Sequence, residues 1–210
     1  MNHQSVPEPV VRRLCLYLRE LEALSERGVA KVSSRQMAHD LHVTDAQVRK
    51  DLAYFGQFGR PGLGYRVQPL RDELRRILGT DQPLNVIVVG AGDLGRALLR
   101  YRGFRRKGFH LVAAFDVAKS KVGTKIGPVP VYHMDRMPEV VRRQDVKLAV
   151  VAVPAGAAQE VADALCEAGV GGILNFAPTT LETPEGVAVR LVDLAAHLEQ
   201  LSFEVGRAQI

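Results

Sequence analysis

The amino-acid sequence predicts an α/β protein in two parts, a helical first third that ends in a hairpin and a longer remainder built on a parallel sheet. Three observations predict it. Two compact helical patterns, SSRQMAHDL and TDAQVRKDLAYF, lead into the glycine-rich GQFGRPGLGYRV. Past residue 83, continuous apolar runs such as LNVIVV, HLVAAFD and KLAVVAVP alternate with helical stretches, the pattern of parallel strands covered on both faces. The turn GAGDLG directly follows the first of those runs.

Taken in order, the first helix starts at Pro9, where VVRRLCLYLREL places Val11, Leu14, Leu18 and Leu21 at the 3-4-3 spacing of one buried face, and Gly28 ends it. Ser33 with Gln36, and Thr44 with Gln47, each pair a hydroxyl cap with an amide three residues on, so two capping boxes start two short helices. Only His42 and Val43 separate those helices, which makes the pair a tight helix-turn-helix. In the second, Val48, Leu52 and Phe55 share an inward face and leave Gln47, Arg49 and Lys50 to solvent. The segment GQFGRPGLGYRV has four glycines and a proline in twelve residues and ends in a strand-like YRV, which reads as a wing with Arg60 at its tip. LRDELRRIL adds one more helix, and GTDQP breaks both periodicities. The expected division is a winged helix-turn-helix domain over 1–79, a Rossmann-like domain over 84–192 and a C-terminal helix over 193–210.

In the second part the strands are LNVIVV, HLVAAFD, GPVPVY, KLAVVAVP, GGILNFA and VAVRLVD. An Arg-rich helix, MDRMPEVVRRQD and AGAAQEVADALCEAG lie among them. Gly90, Gly92 and Gly95 follow a buried strand and open a helix, as a dinucleotide fingerprint requires: a tight turn, close backbone approach to a pyrophosphate, and close helix-to-strand packing. Ala91, Asp93 and Leu94 complete the turn, whose amides and helix-dipole end favour a diphosphate. Asp116 closes the second strand 26 residues after Gly90, a little beyond the usual spacing of about 20. An acid there accepts from ribose hydroxyls and repels a 2′-phosphate, which favours NAD(H). Lys119 and Lys121, just downstream, leave NADP(H) open. Strands ending at Val153-Pro154 and at Asn175-Phe176-Ala177-Pro178 put further candidates, Asn175 among them, at the carboxyl edge of the sheet, although Val153 and Pro154 also read as plain strand termination. In the tail, Leu191, Leu194, Leu198, Leu201 and Val205 recur at 3-4-3-4 spacing, a seam that calls for a partner.

Charge and chemistry narrow the function classes. Residues 1–79 hold 13 Lys and Arg against 9 Asp and Glu, and the remainder holds 15 against 14, so the front carries most of the net charge of +5. That fits a nucleic-acid partner. Arg49 and Lys50 on the second short helix, with Gln47 beside them, suit base and phosphate contacts, and Arg60 on the wing suits the minor groove. No apolar run approaches the roughly 18 residues of a membrane span, and MNHQSVPEPV lacks a signal-peptide plan, so a cytoplasmic protein is expected. Cys15 and Cys166 read as buried, reduced core residues without metal-ligand spacing. The six histidines are scattered, and GxSxG, HExxH and paired-carboxylate motifs are missing. The reading is therefore not an enzyme. An NAD-dependent dehydrogenase with an accessory DNA-binding part, and a CoA-binding module suggested by GAGDLG and AGVGGILNFA, stay open as alternatives.

Together these residues resemble the Rex family of bacterial redox-sensing transcriptional repressors over nearly the whole chain. The match lies in SSRQMAHDLHVTDAQVRKDLAYFGQFG with GLGY, in VVGAGDLGRAL with AFD, in VPAGAAQEVADALCEAGVGGILNFAP and in the final VDL helix. The resemblance implies a homodimer that binds a palindromic operator through its winged helices and is released when NADH occupies the Rossmann domain. It implies DNA-reading roles for Gln47, Arg49 and Lys50, beside which Ser33, Ser34, Thr44 and Arg60 are further candidate DNA contacts, a pyrophosphate loop over Gly90 to Gly95, and an adenosine-ribose acid in Asp116. It also implies a last helix exchanged between subunits, and a switch in which Asp193 changes partner between Arg19 and Tyr101 with the bound nucleotide. In one place the chain departs from the family pattern. Where many members carry a basic pair at the wing tip, it has Arg60-Pro61, which implies one fewer minor-groove charge.

Overall fold

The computed structural model describes residues 6–60 and 63–207, Arg60 by its backbone alone. The chain divides into two compact units, Met1–Gln82 and Pro83–Ile210.

In the first unit, helix α1 (Glu8–Glu26) buries Val10, Leu14, Tyr17, Leu21 and Leu24, a 4-3-4-3 stripe with Leu18 alongside. Val11, expected on that face, is 38% exposed. Leu14, Leu18 and Leu21 are buried as expected, and Val10 takes the place of Val11 because the face also includes Tyr17, whose polar tip hides it from a hydrophobic pattern. Cys15 follows Leu14 off the stripe and is exposed, and Cys166 likewise follows buried Leu165 and is half-buried. The expectation of two buried cysteines is thus corrected by helix phase. Gly28 ends the helix at φ +72, its N–H donating to the Ser25 carbonyl at 3.0 Å.

Strand β1 (Lys31–Val32) precedes helices α2 (Ser34–Leu41) and α3 (Asp45–Ala53), which are joined through His42 at φ 54. Strands β2 (Gly59–Arg60) and β3 (Gly64–Arg66) form the antiparallel wing and, with β1, a sheet of order β1-β3-β2. The wing tip beyond Arg60, including Pro61, lies outside the described residues. Val67, expected in a strand, instead opens helix α4 (Val67–Ile77): its N–H is held by the Ala30 carbonyl at 3.0 Å and its side chain is buried. Pro69 fits in that first turn, where helical N–H groups have no intrahelical partner. Leu14, Tyr17, Met37, Val48, Leu52, Val67 and Leu74 form the core.

The second unit runs β4 (Leu84–Val89), α5 (Asp93–Arg100), α6 (Arg102–Arg106), β5 (Phe109–Phe115), β6 (Lys125–Ile126), β7 (Val129–Tyr132), α7 (Met137–Arg143), β8 (Leu148–Val151), α8 (Ala155–Glu167), β9 (Gly172–Asn175), β10 (Ala188–Leu191) and α9 (Leu194–Arg207). The single Arg-rich helix of the sequence reading is broken at Tyr101, whose backbone is extended (ψ 106). The sheet order is β10-β9-β8-β4-β5-β7-β6, parallel throughout except for the short β6 paired antiparallel to β7. Without β6 this is the dinucleotide-fold order. Chain direction across the sheet reverses at β4, so a crevice opens at the carboxyl ends of β4 and β8. Helices α7 and α8 pack on the face carrying Ile87, Phe115, Val151 and Ile173, while Leu99 of α5 joins Val86, Val88 and Ala114 on the other.

Helix α9 buries no residue, and its apolar stripe of Leu194, Leu198, Leu201 and Val205 is exposed. Leu191, counted in that seam, belongs to β10, so the helix begins after it. Among the described residues no helix is long and apolar enough to cross a membrane.

Candidate dinucleotide turn and nucleic-acid interface

The three glycines of the turn do three different jobs. Gly90, at φ +98, sits against the Ala152 carbonyl so closely that a Cβ would collide with it, and its N–H donates to the Phe115 carbonyl at 2.8 Å. Gly95 lies on the Gly90 carbonyl and admits no side chain, which seats α5 on β4. At Gly92 a Cβ would meet nothing within 4 Å. The middle glycine therefore faces open space at the N-terminus of α5, where no side chain caps the first-turn amides. Open backbone, orphan N–H groups and the positive end of a helix dipole suit a diphosphate. Asp93 and Leu94 are both exposed in that first turn.

Asp116 is tied into this turn. Its carboxylate accepts from the Ala91 N–H at 2.8 Å, the Ala118 N–H at 2.8 Å and Lys121 Nζ at 2.9 Å. Burial alone would raise its pKa, but the Ala118 amide, the Lys121 cation and the Ala91 amide outweigh it and hold the carboxyl below the usual carboxylate range. The acid is therefore ionised, with about one of its four lone-pair positions left for a ligand hydroxyl. Lys121, weighed in the sequence as a possible 2′-phosphate ligand, is the counter-ion of this acid. Lys119 is exposed.

The other edge candidates sit differently from expectation. Strand β8 ends at Val151, two residues early, so Val153 and Pro154 lie in the loop to α8, with Pro154 at the helix cap. Val153 packs beside Gly90. Asn175 is buried with both polar groups engaged in its own loop: Nδ2 donates to the Thr179 carbonyl at 2.8 Å, and Oδ1 accepts from the Ala177 N–H at 2.9 Å. Its side chain shapes the 175–179 loop. Tyr101 is exposed, its ring in edge contact with Phe104 (centroids 5.1 Å apart) and lying over Gly103, where any side chain would displace it. Asp193 caps α9 by accepting from the Ala196 N–H at 3.0 Å. Arg19 is exposed on α1.

On the first unit, Ser33 makes the full capping box: its Oγ accepts from the Gln36 N–H at 3.1 Å, and its own N–H donates to Gln36 Oε1 at 2.9 Å. The second box is only half formed. Thr44 Oγ1 accepts from the Gln47 N–H at 3.1 Å, but the Gln47 side chain turns away to Asp51, donating from Nε2 to Oδ1 at 2.6 Å. Gln47 is consequently half-buried rather than left to solvent, while Arg49 and Lys50 are exposed. Phe55, placed on the α3 face, lies past the helix end and is only partly buried against the core.

Asp51 is the residue sequence reasoning missed. It is fully buried and accepts from Arg13 Nε at 2.6 Å, Arg13 Nη2 at 2.8 Å and the Tyr17 hydroxyl at 2.7 Å, besides Gln47. Burial pushes its pKa up, but Arg13, Tyr17 and Gln47 more than reverse this, so the carboxyl is held below its ordinary value. The available signal was its place between Val48 and Leu52 on the inward face, with Arg13 and Tyr17 one helical turn apart on α1.

Arg49, though exposed, is tethered to its neighbours. Its Nη1 donates to Asp45 Oδ2 at 2.7 Å and to Ser34 Oγ at 3.0 Å, on the rim of a cleft of about 590 Å³ lined also by Phe58, Gly59 and Tyr65 of the wing. The Arg49 hydrogen bond keeps the Asp45 carboxyl below its usual range. Asp45 competes with phosphate for this guanidinium. Asp45→Asn is expected to strengthen binding to random duplex DNA roughly threefold at low salt, the gain fading as salt rises. Fluorescence anisotropy across a salt series measures it, and an unchanged or weaker variant would show that the pair does not restrain Arg49.

Comparison with known proteins adds the following. Residues 5–53 match the family described as putative DNA-binding protein N-terminus, and residues 81–179 match the CoA binding domain family. The chain is 50% identical over 207 residues to the redox-sensing transcriptional repressor Rex of Carboxydothermus hydrogenoformans, covering 99% of this chain and 100% of that one. It is 46% identical to the repressor of the same name in Pelotomaculum thermopropionicum, covering 98% and 96%. Among solved structures, RSP in complex with beta-NAD+ and operator DNA matches at 36% identity and a TM-score of 0.92, covering 97% of this chain and 94% of that one. RSP in complex with beta-NADH matches at 34% identity and a TM-score of 0.87, covering 98% and 97%.

Proposed function

The chain belongs to the Rex family of redox-sensing transcriptional repressors, and from that premise we propose how its residues divide the work. The N-terminal unit binds operator DNA, with α3 as the reading helix. Gln47, Arg49 and Lys50 face the bases and backbone, Ser33 and Thr44 cap their helices and with Ser34 contact phosphate, and Arg60 reaches into the minor groove. The turn Gly90 to Gly95 takes the pyrophosphate of NAD(H), Asp116 takes the adenosine ribose, and Val153, Pro154 and the loop shaped by Asn175 border the nicotinamide end. The nicotinamide supplies the redox difference that is sensed. No turnover is assigned, and the protein acts in the cytoplasm as a homodimer. The observation that carries the reading is the contrast within the turn, where two glycines are closed by backbone and the middle one is open.

A CoA-binding module shares the glycine-turn fold, and residues 81–179 match the family of that name. The full-length likeness to repressors and to structures holding NAD+ or NADH favours the dinucleotide. Asp116, ionised and facing the turn, agrees. Asp116→Ala is expected to weaken NADH binding about tenfold or more, the loss of a hydrogen bond to a charged group. Titration by NADH fluorescence checks it, and wild-type affinity in the variant would remove Asp116 from the site.

Two identical reading helices call for half-sites a whole number of helical turns apart. A bound dinucleotide shifts the grip on DNA only by its differential affinity for the two arrangements, and DNA must disfavour NADH by the same factor. The exposed stripe of α9 is the surface for the partner subunit, exchanged between the two copies. Asp193, at the head of that helix, moves between Arg19 and Tyr101 as the nucleotide changes. Asp193→Ala is expected to leave operator binding intact and to abolish most of the NADH response in a band-shift titration, and an undiminished response would remove this switch.

The test of the whole reading is a gel shift at fixed salt with a palindromic operator, NADH and NAD+ titrated separately. Release by NADH at concentrations where NAD+ leaves the complex standing is the expected result. Equal behaviour with both nucleotides would overturn it.

A further inference from the structure

We propose that Asp51 is a positioning residue that sets the base preference of Gln47, fixing its amide so that Gln47 reads adenine and rejects guanine; the proposal rests on α3 being the reading helix. Gln47 is the third residue of α3, in the first turn from which reading helices commonly touch base edges. Its side chain lies against a carboxylate that is fully buried and surrounded by donors: both Arg13 nitrogens, the Tyr17 hydroxyl and Gln47 itself, at 2.6 to 2.8 Å.

An ionised carboxylate only accepts, so the Gln47 atom at 2.6 Å from Asp51 Oδ1 must be the amide nitrogen, which fixes which way the amide is turned. Gln47 Oε1 takes no hydrogen bond from the described residues. It is not a buried atom either, because no buried side-chain nitrogen or oxygen among them lacks a partner. The side chain thus offers outward one acceptor and at most one N–H. Adenine presents the matching pair on its major-groove edge, the N6 amino group as donor and N7 as acceptor, whereas guanine presents two acceptors, O6 and N7. A freely turning glutamine could rotate its NH2 toward guanine. One tied to Asp51 meets guanine O6 with its own oxygen. Arg13 and Tyr17 brace the tie by holding Asp51 in place, and so link a helix outside the helix-turn-helix to a single base contact.

The experiment measures affinity at fixed salt for an operator series carrying each base in turn at every half-site position, using wild type, Gln47→Ala and Asp51→Asn. Wild type is expected to prefer adenine over guanine about tenfold or more at one position of each half-site. Gln47→Ala is expected to level that position and no other. Asp51→Asn, whose amide can donate to Gln47 Oε1 and turn the side chain round, is expected to lose the adenine-over-guanine preference there although Gln47 is intact. An unchanged base profile in Gln47→Ala, or in a folded Asp51→Asn, would overturn the proposal. Should Asp51→Asn fail to fold, NMR of the wild-type protein decides. One proton of the Gln47 side-chain NH2 is expected to be protected from exchange with water and shifted downfield by the Asp51 carboxylate, and two unprotected protons at the shifts of a free glutamine would overturn the tie. Failure of wild type to bind any operator would instead sink the reading of α3 and this proposal with it, an outcome distinct from binding with an unaltered profile.

Discussion

Asp51→Ala is expected to lower the stability of the N-terminal unit by about 3 kcal/mol at neutral pH, the scale for removing one partner of a buried ion pair. The substitution leaves the Arg13 guanidinium, the Tyr17 hydroxyl and the Gln47 amide without their shared acceptor in a packed interior. Tyr17 is affected most, since it is fully buried, whereas Arg13 reaches solvent in part. Hydrogen exchange of the α1 and α3 amides reads the effect directly, and opening should become roughly two orders of magnitude more frequent. The pH dependence gives a second check. The Asp51 pKa is depressed in the folded state, so its contribution is present above the unfolded value of about 3.9 and is lost as pH falls through the lower folded value. The gap between wild type and variant should therefore be full at neutral pH and close in strong acid. A variant as stable as wild type at pH 7 would mean that the network merely fills space.

Gly95→Ala is expected to abolish dinucleotide binding and to loosen the second unit, because the added methyl would occupy the position of the Gly90 carbonyl. The clash is with backbone, so no side-chain rotation relieves it: either α5 lifts from β4 or the Gly90 turn opens. Overpacking of this kind costs about 1–3 kcal/mol in a well-packed site, and the amide geometry at the helix N-terminus is lost with it. Gly92→Ala is the informative companion, since its Cβ meets no protein atom. It should fold like wild type and still bind NADH poorly. Thermal unfolding and NADH titration of the two variants together separate the structural glycine from the one that leaves room for the ligand. Wild-type binding by Gly92→Ala would place the pyrophosphate elsewhere.

What could be read from the sequence was what local pattern encodes. The strands β4, β5, β8 and β9 are mostly apolar runs, and the glycine turn, the Ser33 capping box and the wing are set by residues a few positions apart. The Asp51 network could not be read that way. Its Arg13 and Tyr17 partners lie 38 and 34 residues away on another helix, and only the apposition of α1 and α3 turns an aspartate on the inward face of α3 into a buried anchor. Gln47 left its capping box for Asp51 one turn on in the same helix, because a charge-assisted hydrogen bond to a carboxylate is stronger than one to a backbone N–H. Asn175 was correctly placed at the sheet edge, but the path of its loop, which claims both polar groups, is invisible in GGILNFAP. On α1 the expected Leu14, Leu18 and Leu21 are buried, and only Val11 gives way to Val10, because the polar tip of Tyr17 conceals that the face is centred on it; Cys15, next to Leu14, falls off that face.

Helix α9 has fourteen residues and no interior contact surface of its own. An isolated helix of that length is marginal in water. If the proposed partner subunit covers this stripe, helical content at α9 should track protein concentration, falling on high dilution and recovering as the chain is concentrated.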